Sequence, residues 1–158
     1  MSHKIVFICT GNTCRSPMAA ALGASIFGGA GLDIEVFSAG VSAWDGQPAS
    51  QNAILAIAGM EYPGISLNSH KSQIISRELL KNASLVLTMT GRHLDVVKSA
   101  CPSARAFTLY EYASGVKESG DISDPFGGDL EIYRACAEEI KQLLLSCVAK
   151  LKDDLHGK

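Results

Sequence analysis

The feature that most constrains this chain is its opening unit. Lys4 to Cys9 is a short apolar run rich in β-formers, and Ser16-Pro17 begins an apparent helix. Between them stand Thr10-Gly11-Asn12-Thr13-Cys14-Arg15. A short apolar run bounded by a polar turn reads as a buried parallel strand. Serine suits a helix N-cap, and proline suits the first helical position, where its missing N–H is no loss. Strand, tight loop and helix in that order begin an α/β fold.

The rest of the chain continues the alternation. Met18 to Ile26 carries the first helix, closed by Gly28-Gly29. Ile34 to Ser38 alternates as a second strand, and Pro48 to Met60 has apolar residues at helical spacing. Ser76 to Lys81 is a short helix, Leu85 to Met89 a third strand, Gly91 to Ala100 a helix and Ala106 to Leu109 a fourth strand. Leu130, Tyr133, Cys136 or Ala137, Ile140, Leu143, Leu144, Cys147, Val148 and Leu151 mark a long amphipathic last helix. The expectation is a single-domain, four-stranded parallel sheet flanked by helices, Rossmann-like or flavodoxin-like. The domain should span 1–152, with a polar tail at 153–158. In such sheets ligands sit beyond the carboxyl ends of strands, at the switch point. The Cys9 loop lies at such an end.

Composition narrows the function. The 158 residues suffice for one real core, and the net charge of −2 leaves no basic footprint for nucleic acid. No apolar run approaches the roughly 20 residues that span a bilayer. Ile5 to Cys9 is too short for a signal-peptide core. A cytoplasmic monomer without nucleic-acid or membrane partners is expected. Five cysteines, an odd number, suggest free thiols rather than a disulfide framework.

The loop itself suits an anion. A phosphate needs inward N–H donors beside a helix N-terminus. Gly11 adopts positive φ freely, and Asn12 tolerates it better than most residues. Arg15 offers a planar fork for two phosphate oxygens, a geometry lysine lacks. The same donors favour a thiolate at Cys9, and Ser16 can hydrogen-bond the sulfur. A nucleophile then sits beneath a phosphorus whose oxygens are already held. Taken singly, Cys9 is a small apolar strand end and Arg15 a solvated charge.

Cys9 to Pro17 resembles the signature of the low-molecular-weight protein tyrosine phosphatases, a family that includes bacterial protein arginine phosphatases. The resemblance extends over nearly the whole chain. Ser38-Ala39-Gly40 matches the turn after the second strand. Asp124-Pro125 matches the general-acid loop before the last helix. It implies a phosphocysteine mechanism on phosphorylated proteins, with catalytic Cys9, Arg15 and Asp124 and no metal or cofactor. Thr10, Gly11, Asn12, Thr13, Cys14 and Ser16 complete the phosphate-binding loop.

Sixteen acidic residues leave the acid open on composition alone. The proline after Asp124 restricts its backbone, which helps fix a loop residue. Asp121 is the fallback, and Asp129 reads as a first-turn helix charge.

The resemblance implies a histidine bonded to Asn12, here His70, with Ser38 beside it behind the loop. A surface-turn histidine is the alternative. His93 reads as a surface helix residue. No histidine has metal-ligand spacing with cysteine or carboxylate. Cys14 either fills space or, as the family implies, traps oxidised Cys9 as a reversible disulfide.

Substrate selectivity rests on Thr13, Phe126 and Trp44. Tyrosine-directed relatives usually carry an aliphatic residue where Thr13 stands, and arginine-directed ones a threonine. Phe126 gives an apolar wall, followed by Gly127-Gly128. The paired tyrosines of many tyrosine-directed members are absent from that loop. Trp44 falls where such members place an aromatic wall; it can stack on a phenol, cover a guanidinium, or simply half-bury in its loop. Phosphoarginine is the favoured substrate, phosphotyrosine the alternative. Arsenate reduction would need relay cysteines after the third strand, and Asn82 through Lys98 has none. A phosphoryl carrier would not need both Arg15 and an acid.

Overall fold

The computed structural model describes residues 2–117 and 120–156. Four strands form one parallel sheet: β1 (His3–Cys9), β2 (Ile34–Gly40), β3 (Leu85–Thr88) and β4 (Ala106–Thr108). Their spatial order is β2-β1-β3-β4. Among the described residues six helices connect and cover them: α1 (Arg15–Gly29), α2 (Gln51–Ala58), α3 (Arg77–Asn82), α4 (Gly91–Ala100), α5 (Leu109–Ser114) and α6 (Leu130–His156). The chain leaves β1 toward β2 on one side and returns to β3 on the other. That reversal opens a crevice beyond the carboxyl end of β1.

The pleat of β1 divides the core. Ile5, Phe7 and Cys9 join Met18, Leu22, Tyr133, Ile140 and Leu144 on one face. Val6 and Ile8 join Leu80, Val86 and Val97 on the other. Both faces are therefore covered, which is why the strand is almost wholly apolar. The edge beyond β2 is partly closed by residues 72–75, where Ile74 bridges to Gly40.

Strand and helix ends shift by one to three residues from the sequence reading, and three differences have a clear physical reason. First, α1 starts at Arg15, one residue before the expected Ser16 cap, with Cys14 as N-cap and no side-chain cap bond. Pro17 is then the third helical residue, still within the stretch whose N–H groups have no helical partner. At the other end, Gly31 is left-handed (φ 79). Gly31 N donates to Gly28 O and Leu32 N to Phe27 O, both at 3.0 Å. These two bonds are a Schellman closure, set by Gly31 rather than Gly28-Gly29.

Second, α5 follows β4 directly where the sequence pattern shows no helix. Six residues are too few for periodicity to register. Its mark is Thr108-x-x-Glu111, where Thr108 Oγ1 accepts from Glu111 N at 3.0 Å. Third, α6 runs across the boundary expected at 152. Leu151 is buried, Leu155 packs on the core, and Asp154 accepts from Tyr112 Oη (2.6 Å) and Arg105 Nη2 (2.9 Å). Those anchors hold residues 153–156 in the helix; 157 and 158 lie outside the described residues.

Candidate active site

The loop between β1 and α1 bends because Asn12 is left-handed, the one non-glycine residue with positive φ among those described (φ 58). Strain of this kind costs on the order of 1–3 kcal/mol and persists only where neighbours enforce it. Here every polar atom of the side chain is used. Asn12 Nδ2 donates to Ser16 Oγ (2.8 Å) and Ser38 Oγ (2.9 Å), and Oδ1 accepts from Gln73 N (3.0 Å). His70 Nε2 lies 2.7 Å from the Asn12 carbonyl oxygen. The loop is thus tied to β2 and to the 70–73 segment. Gly40 permits the approach, because a Cβ there would lie 2.4 Å from Thr10 O and 2.9 Å from Asn12 N.

Cys9 is buried at the floor, with Sγ 2.9 Å from Ser16 Oγ. Ser16 accepts from Asn12 and has one proton to give. The acceptors within reach are Cys9 Sγ at 2.9 Å and Ala39 O at 3.4 Å, and a sulfur that has lost its proton is the stronger of the two. Ser16 therefore serves the sulfur instead of capping α1. No side chain caps the start of α1, and a helix N-terminus of this kind can take an anion.

Arg15 is buried to 5% exposure and held at both nitrogens. Nη1 donates to Ile122 O at 2.9 Å and Nη2 to Thr10 Oγ1 at 3.4 Å. Asp124 Oδ2 stands 3.6 Å from Nη2, on a side chain about half exposed. Its Oδ1 accepts from Phe126 N at 3.1 Å, so the Asp-Pro turn aims the carboxylate. The other two acids are occupied elsewhere. Asp121 Oδ1 accepts from Gly91 N (2.8 Å), and Asp129 Oδ1 accepts from Ile132 N (3.0 Å).

Cys9, Thr10, Gly11, Thr13, Cys14, Arg15, Asp124 and Phe126 line a pocket of about 250 Å³. Sulfur, guanidinium and carboxylate converge on it. The arrangement can bind a small tetrahedral anion, attack it from below and exchange a proton at its mouth.

The remaining expected residues fall in different places. Phe126 stands 76% exposed at the rim. Trp44 is 80% exposed and does not line the pocket. Only its backbone is fixed, its carbonyl accepting from Ser72 Oγ. Cys14 Sγ lies 3.3 Å from Tyr133 Oη and 3.4 Å from Ser50 Oγ, and both cysteines are free thiols. Burial and the Cys14 bond push the Tyr133 phenol up to about 12. Burial likewise pushes the Cys136 and Cys147 thiols up to about 12, which leaves them inert.

His93 overturns its expectation. It is 3% exposed, not a surface residue, and Nε2 lies 2.8 Å from Thr10 Oγ1. Burial, then the nearby Arg15 charge, lower its pKa from 6.5 to about 4. Periodicity could not place it, because its partner is 83 residues away in sequence.

Comparison with known proteins decides the lineage. The family model described as low molecular weight phosphotyrosine protein phosphatase matches residues 4–156. The chain belongs to that family. Among its relatives is a protein-arginine-phosphatase of Bacillus subtilis (strain 168), 43% identical over 152 residues, covering 95% of this chain and 97% of the relative. A low molecular weight protein-tyrosine-phosphatase PtpB of Staphylococcus haemolyticus is 35% identical, covering 89% and 94%. A solved structure of YwlE arginine phosphatase, a mutant with a phosphorylated active-site serine, superposes with a TM-score of 0.89 at 40% identity, covering 98% of this chain and 99% of that one. This low-molecular-weight phosphatase shares the family's single-domain α/β architecture, and no helix among its described residues is long and apolar enough to cross a membrane.

Proposed function

We propose that this phosphatase hydrolyses phosphoarginine in proteins through a phosphocysteine at Cys9. The carrying observation is the convergence of Cys9, Arg15 and Asp124 on one small pocket with Thr13 in its lining. In the first step the Cys9 thiolate attacks phosphorus and the P–N bond breaks. The protonated Asp124 carboxyl gives its proton to the leaving guanidine nitrogen. Arg15 and the loop amides hold the three phosphoryl oxygens through the transition state. In the second step the Asp124 carboxylate takes a proton from water as its oxygen attacks phosphocysteine. The S–P bond breaks, inorganic phosphate leaves and the thiolate returns.

The substrate rests on Thr13 and Phe126. A hydroxyl in the lining suits a polar guanidinium, and Phe126 offers a face on which its plane can lie. The arginine phosphatases among the relatives support this reading; the PtpB relative keeps phosphotyrosine as the second. An arsenate-reductase relay has little support, since Cys101 is buried beside Ser103, after α4. We read this phosphatase as a cytoplasmic monomer acting on phosphorylated proteins.

The test is turnover on phosphoarginine and phosphotyrosine peptides, with Thr13→Ile beside wild type. Wild type should prefer phosphoarginine, and Thr13→Ile should lower kcat/KM on it about ten-fold while gaining on phosphotyrosine. A wild type that prefers phosphotyrosine overturns the substrate assignment and leaves the mechanism standing.

A further inference from the structure

One buried imidazole touches the cradle from outside it. His93 lies in the first turn of α4, where its backbone N–H donates to Thr90 Oγ1 at 3.2 Å. That N-cap bond sets where the side chain starts. The ring turns inward to Thr10 Oγ1 through Nε2, and Nδ1 is buried without a hydrogen-bond partner among the described residues. Thr10 Oγ1 in turn accepts from Arg15 Nη2.

Proton inventory orders this chain of contacts. Burial and the charges of Arg15 and Arg92 favour a neutral ring, against the opposite pull of Asp121 and Asp124. A neutral imidazole carries one proton. On Nδ1 that proton would leave a buried N–H unpaired. On Nε2 it is donated to Thr10, and Nδ1 keeps only a lone pair. Orphaned buried N–H groups are the rarer defect, so Nε2–H is favoured. Thr10 Oγ1 then accepts twice, from His93 and from Arg15. Both lone pairs are filled, and its own proton is left for a third partner. Thr10 lines the pocket.

The same helix start also reaches the other end of the guanidinium. Gly91 N donates to Asp121 Oδ1 at 2.8 Å, and Ile122 N donates to Met89 O at 2.9 Å. Ile122 O is the acceptor for Arg15 Nη1. One nitrogen of Arg15 is therefore held through Thr10 and His93, the other through the 121–122 segment.

We infer that His93 is a positioning residue, which through Thr10 fixes the Arg15 guanidinium and turns the Thr10 hydroxyl proton toward the anion in the pocket. The inference rests on reading the pocket as a phosphate site. A group that positions Arg15 acts most on the transition state, where oxygen geometry changes from tetrahedral to trigonal bipyramidal.

The experiment compares vanadate, a trigonal-bipyramidal mimic, with inorganic phosphate. Affinity for each is read from protection of Cys9 against iodoacetate alkylation, in wild type, Thr10→Val, Thr10→Ser, His93→Ala and the Thr10→Val/His93→Ala double variant. Thr10→Val and His93→Ala should each weaken vanadate about ten-fold and phosphate less than about three-fold. The double variant should be no weaker than the worse single one, because both remove the same link. Thr10→Ser should restore vanadate affinity to near wild type. Thr10→Val keeps the side-chain volume at an exposed position, so it decides the matter even if His93→Ala unfolds. Wild-type affinity in Thr10→Val, multiplying losses in the double variant, or a Thr10→Ser as weak as Thr10→Val would each overturn the inference. If neither anion protects Cys9 in wild type, the phosphate-site reading itself fails.

Discussion

At the scale of single residues the site is a set of proton and charge assignments. Asn12 gives two hydrogen bonds and takes two, so its left-handed backbone is locked. Ser16 receives from Asn12 and stands 2.9 Å from Cys9 Sγ, which keeps a hydroxyl against the sulfur. Asp124 stands half exposed at the pocket mouth, able to exchange protons with water, while Arg15 beside it is buried. Replacing the acid should therefore damage proton transfer more than anion binding. Asp124→Asn is expected to lower kcat by about 10²–10³. Phosphate should protect Cys9 from alkylation in that variant much as it does in wild type. Loss of protection together with loss of turnover would show that Asp124 holds the loop and not the proton.

At the scale of elements the site depends on how closely two strands approach. β1 and β2 pair in register from His3 with Ile34 to Cys9 with Gly40. Just beyond, Val41 N donates to Cys9 O and Ser42 N to Thr10 O, both at 2.9 Å. The chain after β2 thus walks along the first residues of the loop, and only a residue without Cβ fits at its start. Gly40→Ala puts a methyl against backbone at 2.4 Å, and neither side is a flexible side chain. That substitution is expected to cost about 3 kcal/mol by overpacking and to distort the loop. Thermal unfolding and turnover together read it: both should fall. A variant with wild-type activity and an unchanged midpoint would mean that the strands separate freely. By contrast α1, α4 and α5 are placed by end signals, with a left-handed Gly31, Thr90 and Thr108 fixing their limits.

At the scale of the whole molecule, burying His93 between α4 and the Cys9 loop couples the site to stability. Its pKa is about 4 in the fold and 6.5 when exposed. Between those values the unfolded chain binds more protons than the folded one, so stability rises with pH across that window. The contribution is complete above about pH 6.5 and is lost as pH falls toward 4. Asp154, held low by Tyr112 and Arg105, acts in the same direction at still lower pH, below its ordinary 3.8. The unfolding midpoint of wild type should therefore fall more steeply from pH 7 to pH 4 than that of His93→Gln. Parallel curves for the two proteins would show that folding leaves the imidazole's pKa unchanged.

The chain's local order determined much of this protein. The strand–loop–helix unit at Lys4 to Pro17, the alternation that follows it and the 3.6-residue period of α6 are short-range patterns, and they were enough for a parallel α/β sheet. The Cys9-to-Arg15 loop reads as a phosphate cradle because it is one contiguous motif, whereas Asp124 is singled out among sixteen acidic residues only by the family resemblance. Tertiary structure decided what long-range contacts decide. Ser16 left the helix cap for the sulfur, Cys14 turned to Tyr133, Trp44 stayed outside the pocket, and His93 moved from the surface to the cradle. Each of these depends on a partner brought near by packing. A local pattern fixes backbone conformation and the face a residue presents. Only the closed fold fixes which donor meets which acceptor, and in a site built of hydrogen bonds those pairings set the chemistry.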